Sequence, residues 1–88
     1  MIYFVYLIAT IRKNKAVSYV GYTKDLKKRL SLHNSGKGAK FTRGAKWKII
    51  YKKKYTNKQE AMSEEIKLKK NFILRKKIKI KFFNEKKN

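Results

Sequence analysis

The stretch Tyr19 to Asn34, YVGYTKDLKKRLSLHN, runs from a strand end through a glycine and a capping residue into a basic helix. Val17, Tyr19 and Tyr22 suit a pleated, half-buried surface, and Gly21 among them marks an unusual backbone angle or a close approach. Thr23 is expected to supply the helix N-cap oxygen. Asp25 would then sit in the first turn, where a negative charge suits the helix dipole, and Asn34-Ser35-Gly36 would end the helix on a glycine. Leu26 and Leu30 share one helix face directed at a core, while Arg29 and His33 share the adjacent face. One side of this helix therefore packs, and its flank presents a guanidinium and an imidazole.

Working outward, Ile2 to Thr10 is apolar on both faces and rich in aromatic and β-branched residues, as in a central strand. A polar turn at Arg12 to Ala16 leads into a second strand, Val17 to Tyr22, and so short a connection predicts an antiparallel hairpin. Beyond the helix, GKGAKFTRGAK (residues 36–46) mixes glycines with Lys37, Lys40, Arg43 and Lys46 and reads as a flexible basic loop. Trp47 to Tyr55 is expected to be a third strand with Trp47, Ile49 and Tyr51 on one face and lysines at its exposed end. Asn57-Lys58-Gln59-Glu60 matches a capping box and starts a second helix, on which Ala61, Glu65, Leu68 and Phe72 share a face. That spacing sets a carboxylate within an apolar stripe. For Arg75 to Asn88, periodicity leaves a third helix, a late strand and a frayed tail all open. The expected fold class is α+β: a small three-stranded antiparallel sheet flanked by helices. The expected organisation is one domain over residues 1–88, with a core about 2–72 and a basic C-terminal tail 73–88.

The chain has 88 residues, no cysteine, and 26 Lys plus Arg against 5 Asp plus Glu, a net charge of +21. A chain of this size supports one small core, and the absence of cysteine excludes both a disulfide framework and a thiolate metal site. The first ten residues, MIYFVYLIAT, lack a basic flank and a small-residue cleavage pattern, and no apolar run approaches membrane-spanning length. A soluble, cytoplasmic protein with no membrane partner is the expectation. The excess positive charge costs self-repulsion and calls for a polyanion, nucleic acid foremost. Part of the excess is compositional, since 22 of the 26 cations are lysine and proline is absent, as an AT-rich genome would produce. The sign of the partner follows from charge; its identity does not.

Tyr6, Tyr19, Arg29, His33 and Glu65 are the candidates for chemistry, and each has a plainer explanation when taken singly. The tyrosines suit a half-buried sheet, Arg29 a solvated helix face, His33 a surface or cap, and Glu65 an exposed pair with Lys69. Their order and spacing carry more weight. Phe4-Val5-Tyr6 and Tyr19-Val20-Gly21, followed by Thr23, Leu26, Arg29, His33 and Asn34, then by Trp47-Lys48-Ile49-Ile50-Tyr51 and by Glu60-Ala61-Met62 with Glu65, closely resemble the GIY-YIG nuclease family. The family includes the N-terminal nuclease domain of the bacterial repair excinuclease and small stand-alone proteins. The resemblance covers roughly Tyr3 to Lys70.

The resemblance implies an endonuclease that hydrolyses DNA phosphodiester bonds with one divalent metal, Mg²⁺ or Mn²⁺, held chiefly by Glu65, in DNA repair or turnover. Glu64, one residue earlier, points about 100° away around the helix. By the same resemblance Tyr6 and Tyr19 bracket the attacking water with Tyr6 as general base, its phenol lowered from a pKa near 10 by the metal and nearby cations. Arg29 grips the scissile phosphate, and His33 orients water or assists Tyr6. Two departures stand out: Phe4 replaces the glycine of the first tripeptide, and Tyr22 stands where excinuclease-type sequences carry a lysine, a role left vacant or taken by Lys24 or Lys40. Lys24, Lys37, Lys40, Arg43 and Lys46 are the expected nucleic-acid contacts. The alternative is a catalytically inactive, basic nucleic-acid-binding module on the same fold. A ribosome-associated or RNA-binding protein would explain the charge but not the Tyr, Arg and Glu positions.

Overall fold

The computed structural model describes residues 1–87, with side chains described to residue 84; Asn88, the end of the expected tail, lies outside the described residues. The elements run β1 (Tyr3–Arg12), β2 (Lys15–Thr23), α1 (Leu26–Asn34), β3 (Lys48–Tyr55), α2 (Lys58–Lys70) and α3 (Phe72–Lys87). The strands form one antiparallel sheet in the order β2-β1-β3. The expected α+β class and three-stranded sheet are present.

The hairpin is tighter than the sequence suggests. Lys13 and Asn14 have φ of 51° and 65°, so two left-handed residues make the whole turn, and the ladder continues to Arg12 opposite Lys15. Such a turn matches the right-handed twist of the flanking strands and is usually marked by glycine; here only Asn14 hints at it. Its register sets Tyr6 opposite Gly21 and Ile8 opposite Tyr19. Directly paired residues share a sheet face, so both tyrosines lie on the same side.

That side carries Tyr6, Ile8 and Trp47, with Val17, Tyr19, Leu26, Leu30, Ala45 and Ile49 packed around them. The opposite side carries Tyr3, Val5, Leu7 and Val20 against Ala61 and Leu68, with Tyr51, Tyr55 and Ile78 alongside. The sheet is thus sandwiched, α1 on one face and α2 with α3 on the other. Leu7 and Ile8, on opposite faces, are 0% and 1% exposed, and burying a side chain of that size contributes about 1.5–3 kcal/mol.

Three local expectations are corrected. The first concerns strand β3, which pairs Tyr51 with Leu7 but Ile49 with Ile8. Ile50 is therefore an extra residue in a bulge, and Tyr51 moves to the face opposite Ile49. The second concerns the cap of α1: Asp25, not Thr23, accepts from the Lys28 N–H at 3.0 Å, while the Thr23 hydroxyl oxygen accepts from the Asp25 N–H at 3.2 Å. Asp25 reaches the third N–H of the helix and so outcompetes Thr23, which shapes the turn before it. Ser35 closes the helix, and Gly36 follows with φ of 82°. The third concerns α2: its cap Asn57 accepts from the Glu60 N–H at 3.1 Å as expected, but the helix ends at Lys70. Phe72 consequently opens α3 and is 60% exposed instead of extending the apolar stripe.

Of the stretch left open at the C-terminus, residues 75–87 are helical. Arg75 on α3 donates from Nε to the Leu68 carbonyl and from Nη2 to that of Lys69, capping α2, and Lys79 Nζ reaches the Ala16 carbonyl. The two arginine bonds satisfy carbonyls at the C-terminal end of α2.

Candidate active site

Side chains from β1, β2, α1 and α2 line one open cavity of about 620 Å³. Tyr6, Tyr19, Arg29, His33 and Glu65 all line it, as do Lys24, Lys28 and Lys58. Lining residues come from both faces of the sheet, Tyr6 and Gly21 from one and Tyr22 from the other, so the cavity straddles the β2 edge. This is how Glu65, on the helix behind the sheet, meets groups in front of it.

Gly21 makes room for Tyr6. A Cβ at this position would collide with the Tyr6 phenol, so the close approach rather than an unusual φ explains the glycine. Tyr6 lies across its neighbour strand and its Oη stands 2.9 Å from His33 Nε2. His33 is only 1% exposed, and its Nδ1 lies 2.9 Å from the Thr42 hydroxyl. Tyr19 meets the His33 ring edge-on at 5.3 Å. The imidazole is therefore held on three sides.

Burial pushes the Tyr6 phenol up to about 12, against a smaller lowering influence from Arg29. The expectation that cations lower this phenol is not met in the protein alone, because desolvation penalises the phenolate more than Arg29 favours it. His33 is pushed below its ordinary range, first by burial and then by Arg29. A neutral imidazole thus faces a protonated phenol.

Glu65 has a side chain 16% exposed, and its Oε1 lies 3.6 Å from Lys69 Nζ. The plain helix pair is real, but Glu65 also lines the cavity. Glu64 pairs with Lys67 at 3.0 Å and is absent from the lining. Asp25, the other carboxylate in the cavity, is engaged as the α1 cap. Among the described residues no three acidic, histidine or cysteine side chains cluster as a metal cage. A lone hard carboxylate beside open volume suits a hydrated divalent ion, which typically takes one or two protein carboxylates and completes its shell with water and phosphate.

Of the expected nucleic-acid contacts, Lys24 lines the cavity, with its ammonium 5.7 Å from the Tyr3 ring centroid. Lys37, Lys40, Arg43 and Lys46 are all exposed but are not in the cavity lining; Lys46 borders a separate hollow with Asn34, Ser35 and Gly44. The loop that carries them is tied down at several points. Arg12 donates to the Arg43 carbonyl at 2.9 Å and its guanidinium lies 5.3 Å from both the Phe41 and Trp47 rings. Asn34 grips the Trp47 backbone, accepting from its N–H at 2.6 Å and donating to its carbonyl at 3.3 Å. Sequence reasoning overlooked Gly38 and Thr42, and the only available signal was the glycine spacing of the loop.

The fold and cavity together define a small α+β domain whose basic cleft gathers a tyrosine pair, an arginine, a histidine and a carboxylate. The family model described as GIY-YIG catalytic domain matches residues 2–82, and the chain belongs to that family. It is 52% identical over 52 residues to a UPF0213 protein of Oceanobacillus iheyensis, covering 58% of this chain and 60% of the relative. It is 54% identical over 52 residues to a UPF0213 protein of Streptococcus pneumoniae, covering 58% and 52%. The matched stretch thus spans between half and three fifths of these curated relatives. A solution NMR structure of a UPF0213 protein from Bacillus halodurans is 37% identical, over 78% of this chain and 71% of that one, with a TM-score of 0.43.

Proposed function

We propose that the protein is a metal-dependent endonuclease that hydrolyses DNA phosphodiester bonds in the cytoplasm, in DNA repair or turnover. The observation that carries this reading is the convergence of Tyr6, Tyr19, Arg29, His33 and Glu65, from four elements, on one cavity flanked by lysines. An inactive binding module would need the basic surface but not this gathering.

In this reading Arg29 binds the scissile phosphate, offsetting the charge that develops on it, and Lys24, Lys28 and Lys58 hold the flanking strand. Tyr6 and Tyr19 orient the attacking water. Because the Tyr6 phenol is pushed up to about 12, it works as a relay: it takes the water's proton as its own passes to His33 Nε2. The new P–O bond forms as the bond to the leaving oxygen breaks; that oxygen takes a proton from solvent, and His33 later returns its proton to solvent. Glu65 would hold the divalent ion, with Lys69 as its competitor in the free protein. When bound, Mg²⁺ or Mn²⁺ would supply Lewis-acid charge at the phosphate.

The test is incubation of the purified protein with duplex, branched and single-stranded DNA, with and without Mg²⁺ or Mn²⁺. Metal-dependent nicking is expected. Binding to all three substrates with no cleavage under any condition would favour the inactive module.

A further inference from the structure

We propose that Thr42 is a positioning residue that fixes which nitrogen of His33 faces Tyr6, so that the proton relay can run in only one direction. Its effect on rate rests on the nuclease reading above; the hydrogen-bond direction does not.

One group in this chain of contacts has a role that cannot change. The Ala39 carbonyl can only accept, and the Thr42 hydroxyl lies 3.0 Å from it, which uses the one hydrogen that hydroxyl owns. The same Oγ1 lies 2.9 Å from His33 Nδ1 and has only lone pairs left to offer. With that hydrogen spent on the carbonyl, the contact is completed by a hydrogen on Nδ1. A neutral imidazole protonated at Nδ1 has its lone pair on Nε2, where the Tyr6 phenol donates across 2.9 Å. In this arrangement the whole series runs one way, Tyr6 to His33 to Thr42 to Ala39, each group donating to the next.

The loop is built to present this hydroxyl. Thr42 is 0% exposed, its N–H donates to the Ala39 carbonyl, and its own carbonyl accepts from the Trp47 indole at 2.9 Å. On one side Phe41 stacks on Tyr19, with ring centroids 6.0 Å apart; on the other the Arg43 carbonyl is held by Arg12. Gly38 passes so close to His33 that a Cβ there would collide with Nδ1. A valine at 42 would fill the same space but leave the buried Nδ1–H without an acceptor. The imidazole would then favour its other tautomer, which donates to Tyr6 and can no longer take its proton.

The chain contains a single histidine, so imidazole nitrogen signals in ¹⁵N-labelled full-length protein belong to His33 alone. Long-range ¹H–¹⁵N spectra at pH 7 to 8 are expected to show Nδ1 protonated and Nε2 bare. Thr42→Val should move the population toward protonated Nε2 and lower metal-dependent cleavage on the order of 10²-fold, the lower range for a positioned acid–base partner, with DNA affinity unchanged. Thr42→Ser should restore both the tautomer and the rate. Protonated Nε2 in the wild type would overturn the proposal even if Thr42→Val does not fold, and so would an unchanged tautomer in a folded Thr42→Val protein. The expected tautomers without cleavage of any DNA would uphold the role of Thr42 and refute the nuclease reading instead.

Discussion

The Tyr6 phenol and His33 Nε2 lie 2.9 Å apart, and their proton affinities are displaced in opposite directions, the phenol up and the imidazole down. Both displacements begin with burial, since a desolvated pair resists forming phenolate and imidazolium. Arg29 acts on both, favouring phenolate and disfavouring imidazolium, which opposes burial at Tyr6 and reinforces it at His33. A phosphate that neutralises Arg29 would ease proton acceptance by His33. The pair is thus quiet in the free protein and responsive to an anion in the cavity.

Glu65→Gln preserves shape and removes the carboxylate charge, so cleavage should disappear while DNA binding persists or tightens slightly. Glu64→Gln, on a residue paired with Lys67 outside the cavity, should cleave as the wild type does. Nicking assays with binding measured in parallel check both. If Glu64 rather than Glu65 proved essential, the site would be misassigned.

Arg29→Ala removes a preorganised charge donor and should lower the cleavage rate on the order of 10² to 10³-fold. Single-turnover rates at saturating protein separate this loss from weaker binding. A change confined to affinity would remove Arg29 from the reaction.

The pH dependence of stability follows from the sign of each shift. His33 is lower in the folded protein than its ordinary 6.5, so the unfolded chain takes up the proton first as pH falls. Its contribution is complete above 6.5 and is lost as pH falls through the folded value. Thermal melts from pH 7.5 to 5 should show a decline that flattens in His33→Gln. At the alkaline end Tyr6, raised from 10.0 to about 12, stabilises the fold below pH 10 and loses that contribution as pH rises through about 12. In a tyrosinate absorbance titration of the folded protein, Tyr6→Phe should remove a late-ionising step.

Replacing Lys37, Lys40, Arg43 and Lys46 together by alanine should flatten the salt dependence of duplex binding, each phosphate no longer neutralised removing about 0.9 from the log-log slope. Arg43 holds the loop through its carbonyl, not its side chain, so the substitution should leave Thr42 in place. Unchanged affinity at moderate salt would deny the loop any part in binding.

The hairpin and both helices were legible because they rest on local chemistry: alternation, a capping asparagine, and helical spacing of four. The five cavity residues stood out only through the order and spacing that resemble the family, since each taken singly has a plainer explanation. The bulge at Ile50 was not, since a one-residue slip depends on how β3 meets β1 and leaves WKIIY looking like simple alternation. The competition between Thr23 and Asp25 for the cap turns on a single helical start that both residues satisfy on paper. Phe72 fits the periodicity of α2, but the chain turns at Asn71, whose side chain accepts from the Leu74 N–H and starts α3. Thr42 was invisible for a different reason: its partner His33 is nine positions away across an irregular loop, and no period reports such a contact.

Gly21 and Tyr6 occupy one shared volume, the missing side chain of one filled by the phenol of the other. Substitution at either position is therefore not independent. A larger residue at 21 expels the phenol from its place beside His33, and a smaller one at 6 opens a void that a side chain at 21 could fill. The second exchange could restore packing, yet it would leave the imidazole without its donor. Drift at this pair can rescue the fold only along a route that gives up the Tyr6–His33 contact, so in the nuclease reading a stable protein with the two sizes exchanged would lose cleavage while keeping its basic surface.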